Sequence, residues 1–117
     1  MHEYSVAYQI YETLKNVIEE RGDVKRVRRV SLEIGELTMI NPEQLEFCFR
    51  AIISEDELMS SAELEIEMRK AEVECERCGK IEEPLVGIFL CPKCGGALKI
   101  SRGRDLIIKS VDLEVES

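Results

Sequence analysis

Two knuckles, Cys75-Glu-Arg-Cys78-Gly79 and Cys91-Pro-Lys-Cys94-Gly95, constrain this chain more than any other feature. Two residues between cysteines let both thiolates face one ion, while amides of the turn donate to sulfur. A glycine after the second cysteine supplies the positive φ that the tight turn needs. Four thiolates suit a closed tetrahedral site, and no His, Asp or Glu stands where it would keep a coordination position open. The site therefore reads as structural, with Cys75, Cys78, Cys91 and Cys94 as ligands and zinc as the expected metal. Iron in the same cage is the competing reading, because C-x-x-C-G paired with C-P-x-C-G is also rubredoxin-like and would make this an electron-transfer protein. Phe89 is the only aromatic between the knuckles. That is little shielding for a redox centre, so zinc is favoured. The fifth cysteine, Cys48, falls near the apolar side of a predicted helix and reads as a small buried hydrophobe.

The rest of the chain alternates helical and strand patterns. Val6, Ile10, Leu14, Val17 and Ile18 recur at helical spacing, which predicts a helix over Ser5–Glu20, capped by Ser5 and stopped by Gly22. Residues 1–4 are then a short arm. Val30, Leu32 and Ile34 alternate with Arg29, Ser31 and Glu33, a half-buried strand over Val27–Leu37. Asn41, Pro42 and Gln44 predict the start of a second helix, Pro42 to Ser54. Ala62–Val73 and Asp105–Glu116 alternate again as strands, and 55–61 reads as a polar loop. A lone amphipathic C-terminal strand is not stable by itself, so it should return beside the earlier strands. The expected fold is α+β: two helices on a small three-stranded sheet, with an inserted four-cysteine zinc-ribbon-like module. The expected division is 1–72 plus 104–117 for the α/β domain and 73–103 for the zinc-binding domain.

Charge narrows the function. The formal charge of −8 disfavours a nucleic-acid-binding zinc ribbon, since phosphate binding needs a basic face. No apolar run approaches membrane-spanning length and nothing resembles a secretory signal, so a cytoplasmic protein with reduced cysteines is expected. The basic run Lys25-Arg26 and Arg28-Arg29 reads as a solvated strand edge. The scattered Glu and Asp show no paired spacing. With one histidine, no nucleophile–base arrangement is visible, and no enzyme is expected.

That one histidine is His2. The Met1 amine, the His2 amide and the His2 imidazole can close two chelate rings, a nitrogen plane suited to Ni(II) or Cu(II). The amide or carboxylate of Glu3, water, or a partner's group could complete it. Such a site is exposed and dismantled by protonation, which suits delivery more than storage.

MHEYSVAYQIY at the start, IGELTMINPEQLEFCF, and CERCGK with CPKCGG together resemble the HypA/HybF family of hydrogenase maturation nickel metallochaperones, over essentially the whole chain. The resemblance implies a nickel-binding α/β domain carrying a four-cysteine zinc domain. It implies Ni2+ as transient cargo at Met1, His2 and Glu3, and Zn2+ at Cys75, Cys78, Cys91 and Cys94. It also implies a HypB-type nickel-binding GTPase and a [NiFe]-hydrogenase large-subunit precursor as partners, without nucleic acid or membrane. Some relatives place histidines beside the knuckles; this sequence has none there.

Overall fold

Val30, Leu32 and Ile34 point one way from a strand that must be covered on both edges and one face. A computed structural model of the protein describes residues 2–81 and 90–116, and shows how that is done. The expectations for Met1 and Phe89 lie outside the described residues. Strand β1 (Val24–Gly35) is the middle of a three-stranded sheet. On one side β2 (Glu63–Arg69) pairs with it in parallel, with Val30 opposite Leu64 and Leu32 opposite Ile66. On the other, β6 (Leu106–Val115) runs antiparallel, with Val30 opposite Val111.

Parallel neighbours need a crossover, and α2 (Pro42–Ile53) supplies it. Together with α1 (Glu3–Arg21) it packs on one face of the sheet. Leu14, Val27, Val30, Leu32, Ile34, Leu45, Phe49, Ile53 and Met59 are the fully buried centre. Cys48 packs half-buried against this core. The opposite face of the sheet is open and ionic, with Arg29 near Glu63, Glu65 and Asp112, Arg69 beside Glu33, and Lys109 beside Glu67.

The chain leaves this sheet after β2 and returns at β6. Between them β3 (Glu72–Cys75), β4 (Gly79–Ile81) and β5 (Leu98–Arg102) form a second, antiparallel sheet ordered β4-β3-β5. The fold is thus two helices on a three-stranded sheet with the four-cysteine module inserted before the last strand.

Several expectations need correction. The first helix begins at Glu3, not Ser5, with His2 as its N-cap and no free arm through residue 4. Its first turn is held from outside the helix, because Glu3 Oε2 accepts a hydrogen bond from the Asn41 amide. The stretch expected as one strand, Ala62–Val73, is two strands in different sheets, broken at Lys70–Ala71. The β1 strand starts earlier, at Val24, and stops at Gly35, where a single 3-10 turn over Glu36–Thr38 takes over. The loop at 55–61 is not wholly polar in its packing: Met59 is buried in the core. The basic run is not an edge. It lies on the central strand, and Arg26, Arg28 and Arg29 meet carboxylates from both neighbouring strands.

Candidate metal centre

Each knuckle is a turn between or beside short strands of the second sheet. Cys75 ends β3, and Gly79, at φ +77°, starts β4 after the turn that carries Cys78. Cys91 opens the second turn, where its amide donates to the Gly96 carbonyl at 2.7 Å and the Gly95 amide donates back to the Cys91 carbonyl at 2.8 Å. Gly95 has φ +72°, so both glycines adopt the left-handed conformation the spacing calls for.

The two turns bring the four sulfurs together. All four Sγ atoms lie within 4.8 Å of one another, and Cys75 and Cys94 are 3.5 Å apart. Four sulfurs held at about 2.3 Å from one zinc in a tetrahedron are roughly 3.8 Å apart, so this cage fits a thiolate-bound ion of that size. Cys75 and Cys91 are buried, Cys78 is half-buried, and Cys94 is exposed.

The turns also tune the thiols. The amides of Cys78 and Arg77 point at Cys75 and draw its pKa down to about 7. Burial opposes ionisation of Cys91, but the amides of Cys94 and Lys93 outweigh it and its pKa is lowered. Cys78 faces the sulfurs of Cys91 and Cys94, which push its pKa up to about 12. One thiol per knuckle is therefore biased toward the thiolate, while Cys78 holds its proton more tightly. The four thiols form a metal-binding group.

His2 and Glu3 lie elsewhere, in the helical layer. His2 is exposed and its imidazole makes no capping hydrogen bond to α1. Glu3 accepts from the Asn41 amide at 3.2 Å, and that bond is the first cause of its lowered pKa. Asn41 in turn caps α2, its side chain accepting from the amides of Glu43 and Gln44. The reciprocal half of this cap comes from Glu3, 38 residues away, and not from Gln44.

Sequence reasoning also missed Glu36. Its carboxylate accepts from the Ala71 amide at 2.8 Å, while the Leu37 amide donates to Gly103 O and the Gly35 amide to Asp105 O. Both strand crossings into the cysteine module are thereby pinned to one corner of the first sheet. Gly35 and Gly103 are the available signals, since a Cβ on Gly35 would meet the backbone of Gly103 and one on Gly103 the backbone of Ala71.

A family model described as HypA, "Hydrogenase/urease nickel incorporation, metallochaperone", matches residues 1–113. The hydrogenase maturation factor HypA of Methanosarcina acetivorans is 37% identical over 132 residues, covering 99% of this chain and 98% of that protein. Its counterpart in Archaeoglobus fulgidus is 39% identical over 115 residues, covering 98% and 100%. The solution structure of the Ni metallochaperone HypA from Helicobacter pylori superposes with TM-score 0.71 at 24% identity, over 99% of this chain and 100% of that one. At that identity the likeness speaks for the fold.

Proposed function

The chain belongs to the HypA family of nickel-incorporation metallochaperones, and from that premise we propose that it binds Ni(II) at its N-terminus and helps deliver it to a [NiFe]-hydrogenase precursor. The observation that carries the reading is the family match over residues 1–113, which runs through both the N-terminal residues and the cysteine module. Hydrogenase is taken as client over urease because the curated relatives are called hydrogenase maturation factors.

Nickel is cargo in this reading. Its ligands are the Met1 amine, the His2 amide and imidazole, and Glu3. An exposed imidazole with no capping bond is free to turn toward the metal. Ligation through the Glu3 carboxylate costs its bond to the Asn41 amide, whereas ligation through the Glu3 main-chain nitrogen leaves that bond in place. Protons compete for the amine and imidazole, so the cargo is released as pH falls.

Zinc in the Cys75, Cys78, Cys91 and Cys94 cage is structural, supplying folding free energy to a sheet too small for a core of its own. The division follows: residues 1–72 with 104–117 hold the cargo, and residues 73–103 form the zinc-binding unit. Neither part catalyses a reaction. The partners are a HypB-type nickel-binding GTPase and the hydrogenase large-subunit precursor, met in the cytoplasm.

Nickel titration of untagged protein tests this. His2→Ala is expected to abolish tight nickel binding while zinc content and circular dichroism stay as in wild type. A His2→Ala protein that binds nickel as tightly as wild type sinks the N-terminal site. Colour and metal analysis separate the zinc reading from iron: zinc thiolate is colourless, ferric thiolate red.

A further inference from the structure

A groove of about 440 Å³ runs beside the cysteine cage, between the first knuckle and the stretch that follows Cys94. It is large enough for a small organic molecule. Two of the four sulfur ligands belong to residues of its wall, Cys75 and Cys94, and these sulfurs are 3.5 Å apart. Cys94 is the one exposed member of the four; Cys75 and Cys91 are buried and Cys78 is half-buried. The wall between groove and cage is thin for a reason of sequence. Gly96 follows Cys94 by two residues. Unlike Gly79 and Gly95, it lies outside the left-handed region, so its backbone does not call for glycine. A Cβ built there would stand 3.3 Å from the Cys94 Sγ and 4.0 Å from the Cys75 Sγ. Among the described residues, the missing side chain leaves these two sulfurs uncovered on the groove side.

Charge in the groove differs from that of the whole molecule. The chain carries −8 overall, a field that holds small anions off. In the groove Arg77 and Lys99 stand against Glu74 and Glu76, so an anionic reagent meets no net repulsion there. Thiolates held by a metal keep their nucleophilicity, and attack of a thiolate on a disulfide is governed by which sulfur the reagent can reach. The groove offers a small disulfide one exposed sulfur, Cys94, with the Cys75 sulfur next to it.

We propose that Cys94 is a modification site: a small disulfide entering this groove exchanges with it, and Cys75 then closes a bridge that dismantles the cage. In the first step the Cys94 Sγ attacks one sulfur of the reagent. A mixed disulfide forms, the reagent's S–S bond breaks, and one small thiolate leaves. In the second step the Cys75 Sγ attacks the Cys94 sulfur of that mixed disulfide. A Cys75–Cys94 bond forms and the other small thiolate is expelled. The two cysteine thiolates are oxidised to a disulfide, and the reagent is reduced to two thiolates. The bridge ties the knuckles together but removes two of the four ligands. The metal is then released, and the sheet of β3, β4 and β5 loses the folding free energy that binding supplied. The module thereby responds to oxidising conditions while the two helices and the first sheet keep their fold. The proposal rests on zinc as the resident metal, which metal analysis of the starting protein reads separately.

The full, zinc-loaded chain is exposed to oxidised glutathione, an anionic disulfide, or to bis(hydroxyethyl) disulfide, a neutral one. Zinc release is followed with a chromogenic chelator. Adducts are mapped by mass spectrometry after the remaining thiols are trapped at early times. The first adduct is expected on Cys94, followed by a Cys75–Cys94 bridge, with zinc released in step and the helical circular dichroism signal kept. Gly96→Ala, which covers both sulfurs, should slow release roughly tenfold with either reagent while zinc content and thermal midpoint stay as in wild type. Arg77→Gln with Lys99→Gln leaves the cage alone. It should slow oxidised glutathione roughly threefold or more and the neutral disulfide less than about twofold. If Gly96→Ala holds no zinc, the charge variant and the adduct map decide by themselves. A first adduct on Cys75, Cys78 or Cys91 overturns the proposal, as does a bridge between other cysteines. So does release that the variants leave unchanged, or a wild-type chain that forms no adduct and keeps its zinc. Iron in the starting protein would contradict the zinc reading, while the adduct map would still decide where the disulfide attacks.

Discussion

Replacing Gly103 with alanine tests the corner where both crossings into the cysteine module are pinned. Gly103 has φ +96°, and a Cβ there would lie 2.6 Å from the Ala71 Cα and 2.9 Å from the Ala71 nitrogen. Carbon atoms in ordinary contact are about 3.5–4.0 Å apart, and the atoms in the way are backbone, so one crossing must move. Its carbonyl, which accepts from the Leu37 amide at 2.8 Å, moves with it. The positive φ costs about 1–2 kcal/mol for a residue with a Cβ. Forcing the contact costs about 1–3 kcal/mol more. With 117 residues and an unfolding entropy of about 2.1 cal/mol/K per residue, each kcal/mol is about 4 °C of Tm, so the loss is roughly 8–20 °C. Gly22→Ala is the control. Gly22 has φ +74° at the end of α1 with nothing within 4 Å of an added Cβ, so only the conformational cost applies, roughly 4–8 °C. Thermal unfolding of the metal-loaded proteins, followed by the helical circular dichroism signal, gives both numbers. If Gly103→Ala melts no lower than Gly22→Ala, the two crossings are not packed as described and the pinned corner is wrong.

Tyr11→Phe removes the bond to Asp56 and should cost about 1 kcal/mol at neutral pH. That bond raises the Tyr11 pKa, so its contribution is present below the ordinary tyrosine value and is lost as pH rises through the raised one. The stability gap to Tyr11→Phe should therefore shrink above about pH 10, and a gap unchanged there would refute the assignment. Cys91→Ser should release the zinc and collapse the amide dispersion of residues 72–102, forfeiting metal binding worth on the order of 10 kcal/mol, while the helical signal survives. Ending the chain after Gly103 removes β6, which pairs with the central strand. The helices should then unfold at markedly lower temperature, and an unchanged midpoint would show that β6 carries no weight in the first sheet.

The knuckles were legible because their chemistry is local: ligands, turn and glycine fall within five residues. The alternation of Val30, Leu32 and Ile34 was legible for the same reason. Most of what escaped was set by distant partners. Within Ala62–Val73 the apolar positions change phase, from Leu64, Ile66 and Met68 to Ala71 and Val73, a local sign of the break that a reading as one strand passes over. Register shifts between β1 and β6 around Arg26 and Arg29 break the in–out pattern. The basic run therefore reads as an edge in the sequence, whereas in the fold Glu63, Asp112 and Glu114 lie beside it. Ser5 had the chemistry of a cap, yet α1 starts two residues earlier because Glu3 reaches the amide of Asn41. The pinned corner depends on Glu36, a residue whose partner lies 35 positions on.

The central claim is that nickel is held by the terminus itself together with His2. The most direct measurement compares nickel titrations of the native, untagged protein with a version carrying one extra residue before Met1. The extension turns the Met1 amine into an amide, leaves His2 and the zinc cage untouched, and opens one of the two chelate rings. The account predicts that the extended protein loses tight nickel binding while retaining its zinc, its helical signal and its thermal midpoint. Equal nickel affinity in the two proteins would contradict it, because the terminal amine would then not be a ligand and His2 would be working with other groups.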